Sequence, residues 1–330
     1  MVESKHQWKA WLYLAPAILL LLVFTVWPII NTVTMAFQEG YDESLNQQMR
    51  ELTRRTGVTY RVSYPIGIGN FRDVLDYQGF GTALVNTMLL CVATVPISTM
   101  LALLIAVALN SIKPLQKFLQ TIFFLPYVTN SIAIGMVFAA MFNVIGPSFT
   151  NNVLTDADSY GIVNNVIQFF GGKPISWIGQ SSTLWANRTV LIVYIVWNAL
   201  PLKILVLLGG LQSINKQYYE AARVDGTPRR RVFSRITVPL LSPMIVYVVI
   251  TGFIGGFKEY SSVVGIFGED MGPSGSLGKP MNTMVGYIYD ALAGGDAAQG
   301  RASAAALILF GIILVVTLIN LQISKKRVHY

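Results

Sequence analysis

The sequence predicts an all-α membrane protein of six transmembrane helices, and three observations carry that reading. Hydrophobic residues fill 53% of the 330 positions and charged residues only 12%, about half the charged share of a soluble domain. The apolar residues come in blocks long enough to cross a bilayer core about 30 Å thick, which takes roughly 20 helical residues. Charge is confined largely to the segments between blocks, and those segments fall into a basic set and an acidic set.

The blocks predict spans at 11–33, 82–110, 118–143, 186–211, 240–264 and 302–323, forming one membrane domain over 1–330. The third and fourth are interrupted by polar residues or proline. The first differs from a secretory signal, whose apolar run is about 7–15 residues followed by a small-x-small cleavage site. Here the run is longer and ends in Trp27-Pro28-Ile29-Ile30, so it reads as a retained span.

The N-terminus, the link with Lys113 and Lys117, the loop 212–239 and the tail at Lys325-Lys326-Arg327 hold 13 Lys/Arg against Glu3, Glu220 and Asp225. Loops 38–80, 144–188 and 258–301, leaving out Lys258 and Glu259, hold 9 Lys/Arg against 12 Asp/Glu. Lys/Arg excess marks the cytoplasmic side, which puts both termini in the cytoplasm, as an even number of spans requires. The net charge of +8 is then a topology signal and does not point to nucleic acid.

Cys91 is the only cysteine, and the two histidines, His6 and His329, sit near opposite ends. A disulfide framework or cysteine metal site within the chain is excluded, and Cys91 reads as a small packing residue. No catalytic constellation and no metal site are found. Segment 38–80 includes a charged stretch, Glu43 to Arg61, expected to be partly helical. Gly265 to Pro280 reads as an irregular loop and Met281 to Leu292 as a short helix. Pro96, Pro126, Pro201 and Pro243 lie inside spans, where neighbouring helices can re-satisfy a freed carbonyl. Gly252 and Gly256, one turn apart, allow close helix approach.

The loop Gln212 to Pro239 is the most informative stretch. Tyr218, Ala221, Ala222 and Asp225 recur at helical spacing. Gly226 supplies a stop, as Gly does just past a helix end, and Pro228 fits the first turn of a second helix. The reading is a helix-turn-helix on the cytoplasmic face. Its two adjacent alanines offer a narrow side to a groove on a partner, and Glu220 offers a carboxylate beside it. A basic interfacial helix held by anionic lipid accounts for Arg229, Arg230 and Arg231, but not for the Glu-Ala-Ala, the Gly or their spacing.

Glu220-Ala221-Ala222, three residues, Gly226, nine residues, Ile236, one residue, then Val238-Pro239 resembles the EAA signature of binding-protein-dependent ABC importer permeases. That family usually ends the signature in Leu-Pro. Gly67-Ile68-Gly69-Asn70-Phe71, Asn86-Thr87, Phe124-Leu125-Pro126-Tyr127 and Gly300-Arg301-Ala302-Ser303-Ala304 resemble its carbohydrate (maltose-permease-like) branch, over roughly 10–325. After the fifth span the family commonly shows an aromatic-Asp pair and Gly-Gly-Pro. This chain has Lys258-Glu259-Tyr260 and Gly268-Glu269-Asp270-Met271-Gly272-Pro273 instead.

The resemblance implies a type I ABC importer permease fold in a bacterial inner membrane, with 216–226 as the coupling helix. It assigns Glu220, Ala221, Ala222, Arg223, Asp225, Gly226 and Pro239 to coupling with an ATPase. The implied partners are a second homologous permease, two cytoplasmic ATPase subunits and an extracytoplasmic solute-binding protein. No cofactor is expected in this chain. The Walker A pattern is missing, since Pro280 follows Gly278-Lys279 and Pro273 stands where the first Gly belongs.

A sugar site favours aromatic faces and neutral hydrogen-bonding groups, which points to Tyr194, Trp197, Asn198, Tyr260, Ser261 and Ser262, each with packing as its competing role. Lys203 is a charge inside an apolar run. It is either a functional intramembrane group or a side chain snorkelling to the inner interface. Lys258 and Glu259 are expected to pair. Two other functions stay open: import of a sugar phosphate such as glycerol phosphate, which needs a more basic site, and an ion-coupled carrier, which needs an acidic relay or a repeat.

Overall fold

The computed structural model describes residues 7–112, 116–145, 149–150, 153–154, 159–179, 181–273, 278–294 and 298–325. In chain order its helices are α1 (Gln7–Leu21), α2 (Trp27–Phe37), α3 (Glu43–Thr56), α4 (Gly69–Asp76), α5 (Phe80–Ser111), α6 (Gln116–Val128), α7 (Ser131–Phe142) and α8 (Ile162–Phe169). Then come α9 (Leu184–Ser213), α10 (Lys216–Val224), α11 (Arg229–Val232), α12 (Val238–Phe257), α13 (Ser261–Phe267), α14 (Met284–Ala293) and α15 (Ala298–Lys325). Between α7 and α8 lie two small antiparallel ribbons, Val144–Ile145 with Ser159–Tyr160 and Phe149–Thr150 with Val153–Leu154.

Two of the long helices contain a π-helical turn. Leu22–Val26 joins α1 to α2, and Phe233–Thr237 joins α11 to α12. Each turn ends two residues before a proline, Pro28 and Pro239. A proline ring collides with the carbonyl four residues back. Widening the turn to a five-residue bond, Trp27 N–H to the Leu22 carbonyl and Val238 N–H to the Phe233 carbonyl, lets the helix run through the proline.

Among the described residues, five helices are long and apolar enough to cross a membrane: Trp11–Phe37, Phe80–Ser111, Leu184–Ser213, Arg229–Phe257 and Ala298–Lys325. The span expected at 118–143 is two helices, α6 and α7, broken at Thr129-Asn130. Asn130 leaves the helical conformation, and its side chain caps α7 by accepting from the Ile132 N–H at 2.8 Å. The span expected at 240–264 lies within the continuous helix Arg229–Phe257 and stops at Phe257. There the Glu259 carboxylate accepts from the Ser262 N–H at 3.1 Å and starts α13 as a separate helix. Glu259 therefore caps a helix, and no ion pair with Lys258 forms among the described residues.

The contacts define two compact units, Met1–Phe80 with Tyr287–Phe310, and Gly81–Gly286 with Gly311–Tyr330. In the first, buried Asn70 donates to the carbonyls of Ala36 at 3.0 Å and Gln38 at 2.9 Å. Glu39 accepts from the Gly69 N–H at 2.7 Å, and a Cβ at Gly67 or Gly69 would fall 2.1 or 2.8 Å from its Oε1. The Gly67-Ile68-Gly69-Asn70 run is thus the shape of a backbone laid against one carboxylate.

The second unit packs α9 against α12, and side chains of α5 meet both. One apolar core joins Leu90 of α5, Phe142 of α7, Leu191 and Tyr194 of α9, and Val263 and Ile266 of α13. Another joins Ala102 and Ala106 of α5, Ile204 and Leu208 of α9, and Leu241 and Val248 of α12. Small residues set the spacing, as they do where helices meet in lipid. A Cβ at Gly135 of α7 would lie 2.7 Å from the Gly265 Cα of α13, and one at Gly256 would lie 2.8 Å from Cys91 Sγ. Cys91 is a packing residue. Asn86 and Thr87 clamp the segment before α14. Asn86 Nδ2 donates to the Pro280 and Asn282 carbonyls at 2.8 and 3.0 Å, and Thr87 Oγ1 accepts from the Met284 N–H at 2.9 Å.

Candidate functional site

Helix α10 is delimited as its residues dictate. Asn215 caps its start, with Oδ1 accepting from the Gln217 N–H at 3.0 Å. At its end Gly226 adopts φ +63°. The Gly226 N–H donates to the Arg223 carbonyl at 3.1 Å and the Thr227 N–H to the Ala222 carbonyl at 2.9 Å. These are the two bonds of a Schellman termination, which needs a left-handed residue. Tyr219 hydrogen-bonds to Thr237 at 3.3 Å and holds α10 against the base of α12.

Two expectations for this segment change. The adjacent alanines do not share one outward face: residues one apart on a helix point about 100° apart, so Ala222 is buried within the chain and Ala221 is exposed. The second helix is not a separate surface helix either. Pro228 is the N-cap of α11, its carbonyl accepting from Arg231 and Val232 at 2.9 and 3.1 Å. From there the chain continues through the π turn into α12, so Arg229–Phe257 is one apolar helix. Pro239 is half-buried at the joint and shapes that turn. The outward set is Glu220, Ala221, Arg223, Asp225 and Gly226, all exposed. Its three charged side chains form no ion pair among the described residues.

The second cluster lies inside the bundle. Lys203 of α9 is 6% exposed and points into α5. Its Nζ donates to Ser98 Oγ at 2.7 Å, Thr99 Oγ1 at 3.0 Å and the Val95 carbonyl at 3.3 Å. An ammonium has three protons, and all three are placed. Room for it comes from Gly252 of α12, where a Cβ would sit 3.2 Å from Nζ. The snorkelling reading is overturned: the side chain crosses to a neighbouring helix. Ser98-Thr99, a polar pair in an apolar block, was the available signal for its partners.

The residues expected along a substrate pathway divide. Tyr194 is fully buried, donates its hydroxyl to the Ser131 carbonyl, and packs edge-on to Phe138 at 5.0 Å. Ser262 is buried and Tyr260 packs against the same core. Trp197 rests on Phe138 at 5.1 Å. Asn198 Nδ2 donates to Ser131 Oγ at 3.4 Å. Trp197, Asn198, Tyr260 and Ser261 are only half-buried. Tyr194 and Asn198 both meet Ser131, the first residue of α7 after the break in the third apolar segment.

Comparison with known proteins places this arrangement. Residues 82–329 match the family described as binding-protein-dependent transport system inner membrane component. A lactose transport system permease protein of Rhizobium radiobacter is 30% identical over 285 residues, 86% of this chain and 82% of that protein. An arabinooligosaccharides transport system permease protein of Bacillus subtilis is 29% identical over 316 residues, covering 95% and 88%. A chain in the crystal structure of a bacterial ABC transporter involved in the import of the acidic polysaccharide alginate superposes with a TM-score of 0.70 at 22% identity, covering 98% of this chain and 96% of that one. The chain belongs to the binding-protein-dependent transport system inner membrane component family: it is a multi-pass ABC importer permease, a transport subunit and not an enzyme.

Proposed function

We propose that this permease imports a carbohydrate and is driven by separate ATPase subunits docked on 216–226. The observation that carries the docking reading is α10 itself. A short helix is capped at both ends and pinned through Tyr219, with Glu220, Ala221, Arg223 and Asp225 turned outward and unpaired among the described residues. Such a helix moves as a rigid lever, and its attachment to α9 and α12 would pass a push from the ATPase to the bundle. ATP would be bound and hydrolysed by those partners.

The carbohydrate reading rests on the relatives, which carry lactose, arabinooligosaccharides and, at 24% identity over 318 residues, trehalose and maltose in Thermococcus litoralis. Within the chain it draws on the half-buried Trp197, Asn198, Tyr260 and Ser261. Asn198 reaches Ser131 beside the α6–α7 break, and an interrupted helix is where transporters commonly seat a substrate. A sugar phosphate has less support, because Lys203 has already committed its protons. A second homologous permease, an extracytoplasmic solute-binding protein and cytoplasmic placement of both termini complete the reading.

The test is ATP-dependent sugar uptake with Glu220→Ala. The expected result is loss of uptake with the subunit still in the membrane, accompanied by release of the ATPase or by ATP hydrolysis that no longer responds to substrate. Wild-type uptake would overturn the docking assignment.

A further inference from the structure

We propose that α8 is a membrane-interface anchor, its outward apolar stripe seated at the headgroup boundary of the bilayer. The helix has two unlike sides. Val163 and Ile167 face inward with Asn164, which is fully buried. Asn164 Nδ2 donates to the Ile175 carbonyl at 2.9 Å, and its Oδ1 accepts from the Ile175 N–H at 3.0 Å and Trp177 Nε1 at 3.2 Å. One buried amide thus fixes which way the helix faces.

The opposite side carries Ile162, Val166 and Phe169, at the i, i+4, i+7 spacing of a single stripe, continued by Phe170. Phe169 and Phe170 are 85% and 81% exposed and are contiguous with exposed Ile162 and Val166, the kind of apolar patch that marks an interaction surface. Asn165 and Gln168 lie exposed to one side, and exposed Lys173 follows within one turn's length. Apolar stripe, polar flank and a cation beside the rings are the composition of a helix lying in an interface.

Its height in the molecule points to lipid. Trp177, held by Asn164, packs edge-on to Phe142 at 5.6 Å, and Phe142 is the last residue of the apolar helix α7. Helix α9, an apolar segment long enough to span, begins at Leu184. There exposed Trp185 is covered by the Arg188 guanidinium at 5.6 Å. A tryptophan with a cation at the start of a span marks the membrane–water boundary, so α8 hangs where α7 ends and α9 begins.

The single, buried Cys91 makes a clean test. On a Cys91→Ala background, nitroxide labels at Phe169→Cys, Phe170→Cys and Gln168→Cys are compared, in the full chain with its copurifying subunits. The protein is reconstituted in phosphatidylethanolamine and phosphatidylglycerol vesicles. At 169 and 170 the ratio of collision with oxygen to collision with a water-soluble nickel chelate should be severalfold higher than at 168. Nickel-dominated collision at all three sites would overturn the anchor. So would labels at 169 and 170 shielded from both reagents, the signature of a protein partner. Unchanged thermal unfolding of the labelled variants in detergent guards against misfolding.

Discussion

The 212–239 segment and the interior around Lys203 use charge in opposite ways. On α10, Glu220, Arg223 and Asp225 stand in the open on a helix that is capped, pinned and ready, with their pairing capacity unused among the described residues. Inside the bundle, Lys203 is surrounded and every proton has an acceptor. A short capped helix with unspent charge suits the docking role proposed for it, whereas a buried charge with nothing left to give is a structural clasp. Lys203 ties α9 to α5 across the seam opened by Gly252. In this conformation it has no proton free for a substrate.

The largest expected effect comes from breaking the clasp on the acceptor side. Ser98→Ala with Thr99→Val leaves the ammonium only the Val95 carbonyl. Stranding a buried donor costs about 1–3 kcal/mol, more when it is charged. A loss of about 3 kcal/mol in detergent unfolding is expected. Adding Lys203→Met to that pair should restore most of the loss, because removing both sides of a buried polar contact is nearly neutral. A triple variant no more stable than the double would show that Lys203 acts through something other than these hydroxyls.

A smaller effect is expected at the other region. Gly226 has φ +63° and open space around a would-be Cβ, so Gly226→Ala probes backbone strain and nothing else. The left-handed conformation costs an L-residue about 1–2 kcal/mol. The α10 termination should loosen by about that much, read as faster amide exchange at Gly226's neighbours, while the bundle unfolds at nearly its wild-type temperature. Comparable losses in both regions would mean that α10 is part of the core and not a lever attached to it.

How far each region could be read from sequence follows from where its partners lie. The α10 cap at Gly226 involves residues within a few positions, and local spacing exposed it. The merger of α11 with α12 did not show, because Pro239 looks like a helix boundary in sequence and a π turn carries it inside a helix instead. The polar interruption of the third block was visible at Thr129-Asn130-Ser131, but that it ends one helix and starts another was not, because a single Asn130 cap decides it. Lys203 was visible as an anomaly. Its acceptors are 104 and 105 residues away on another helix, and no local pattern points from one to the other. Tyr194 and Ser262 have the chemistry of a sugar site, but burial in the core gives them other work.

The smallest effect tests a third use of charge, exposed and yet committed. Asp42 caps α3, accepting from the Ser44 N–H at 2.8 Å. Hydrogen bonding from Ser44, its side chain first and its N–H second, holds the Asp42 carboxyl below the ordinary 3.8, with burial opposing and the Leu45 N–H adding to it. A depressed pKa in the folded state means the stabilisation is present above the unfolded value and is lost as pH falls through the folded one. The first turn of α3 should therefore lose protection below about pH 3.8, beyond the intrinsic pH dependence of exchange, while α10 keeps its own, since its start is capped by the neutral Asn215. Asp42→Asn should abolish the difference, because an Asn cap is about as good and does not titrate. Acid loss that persists in Asp42→Asn would place the sensitive group elsewhere in the 38–80 segment.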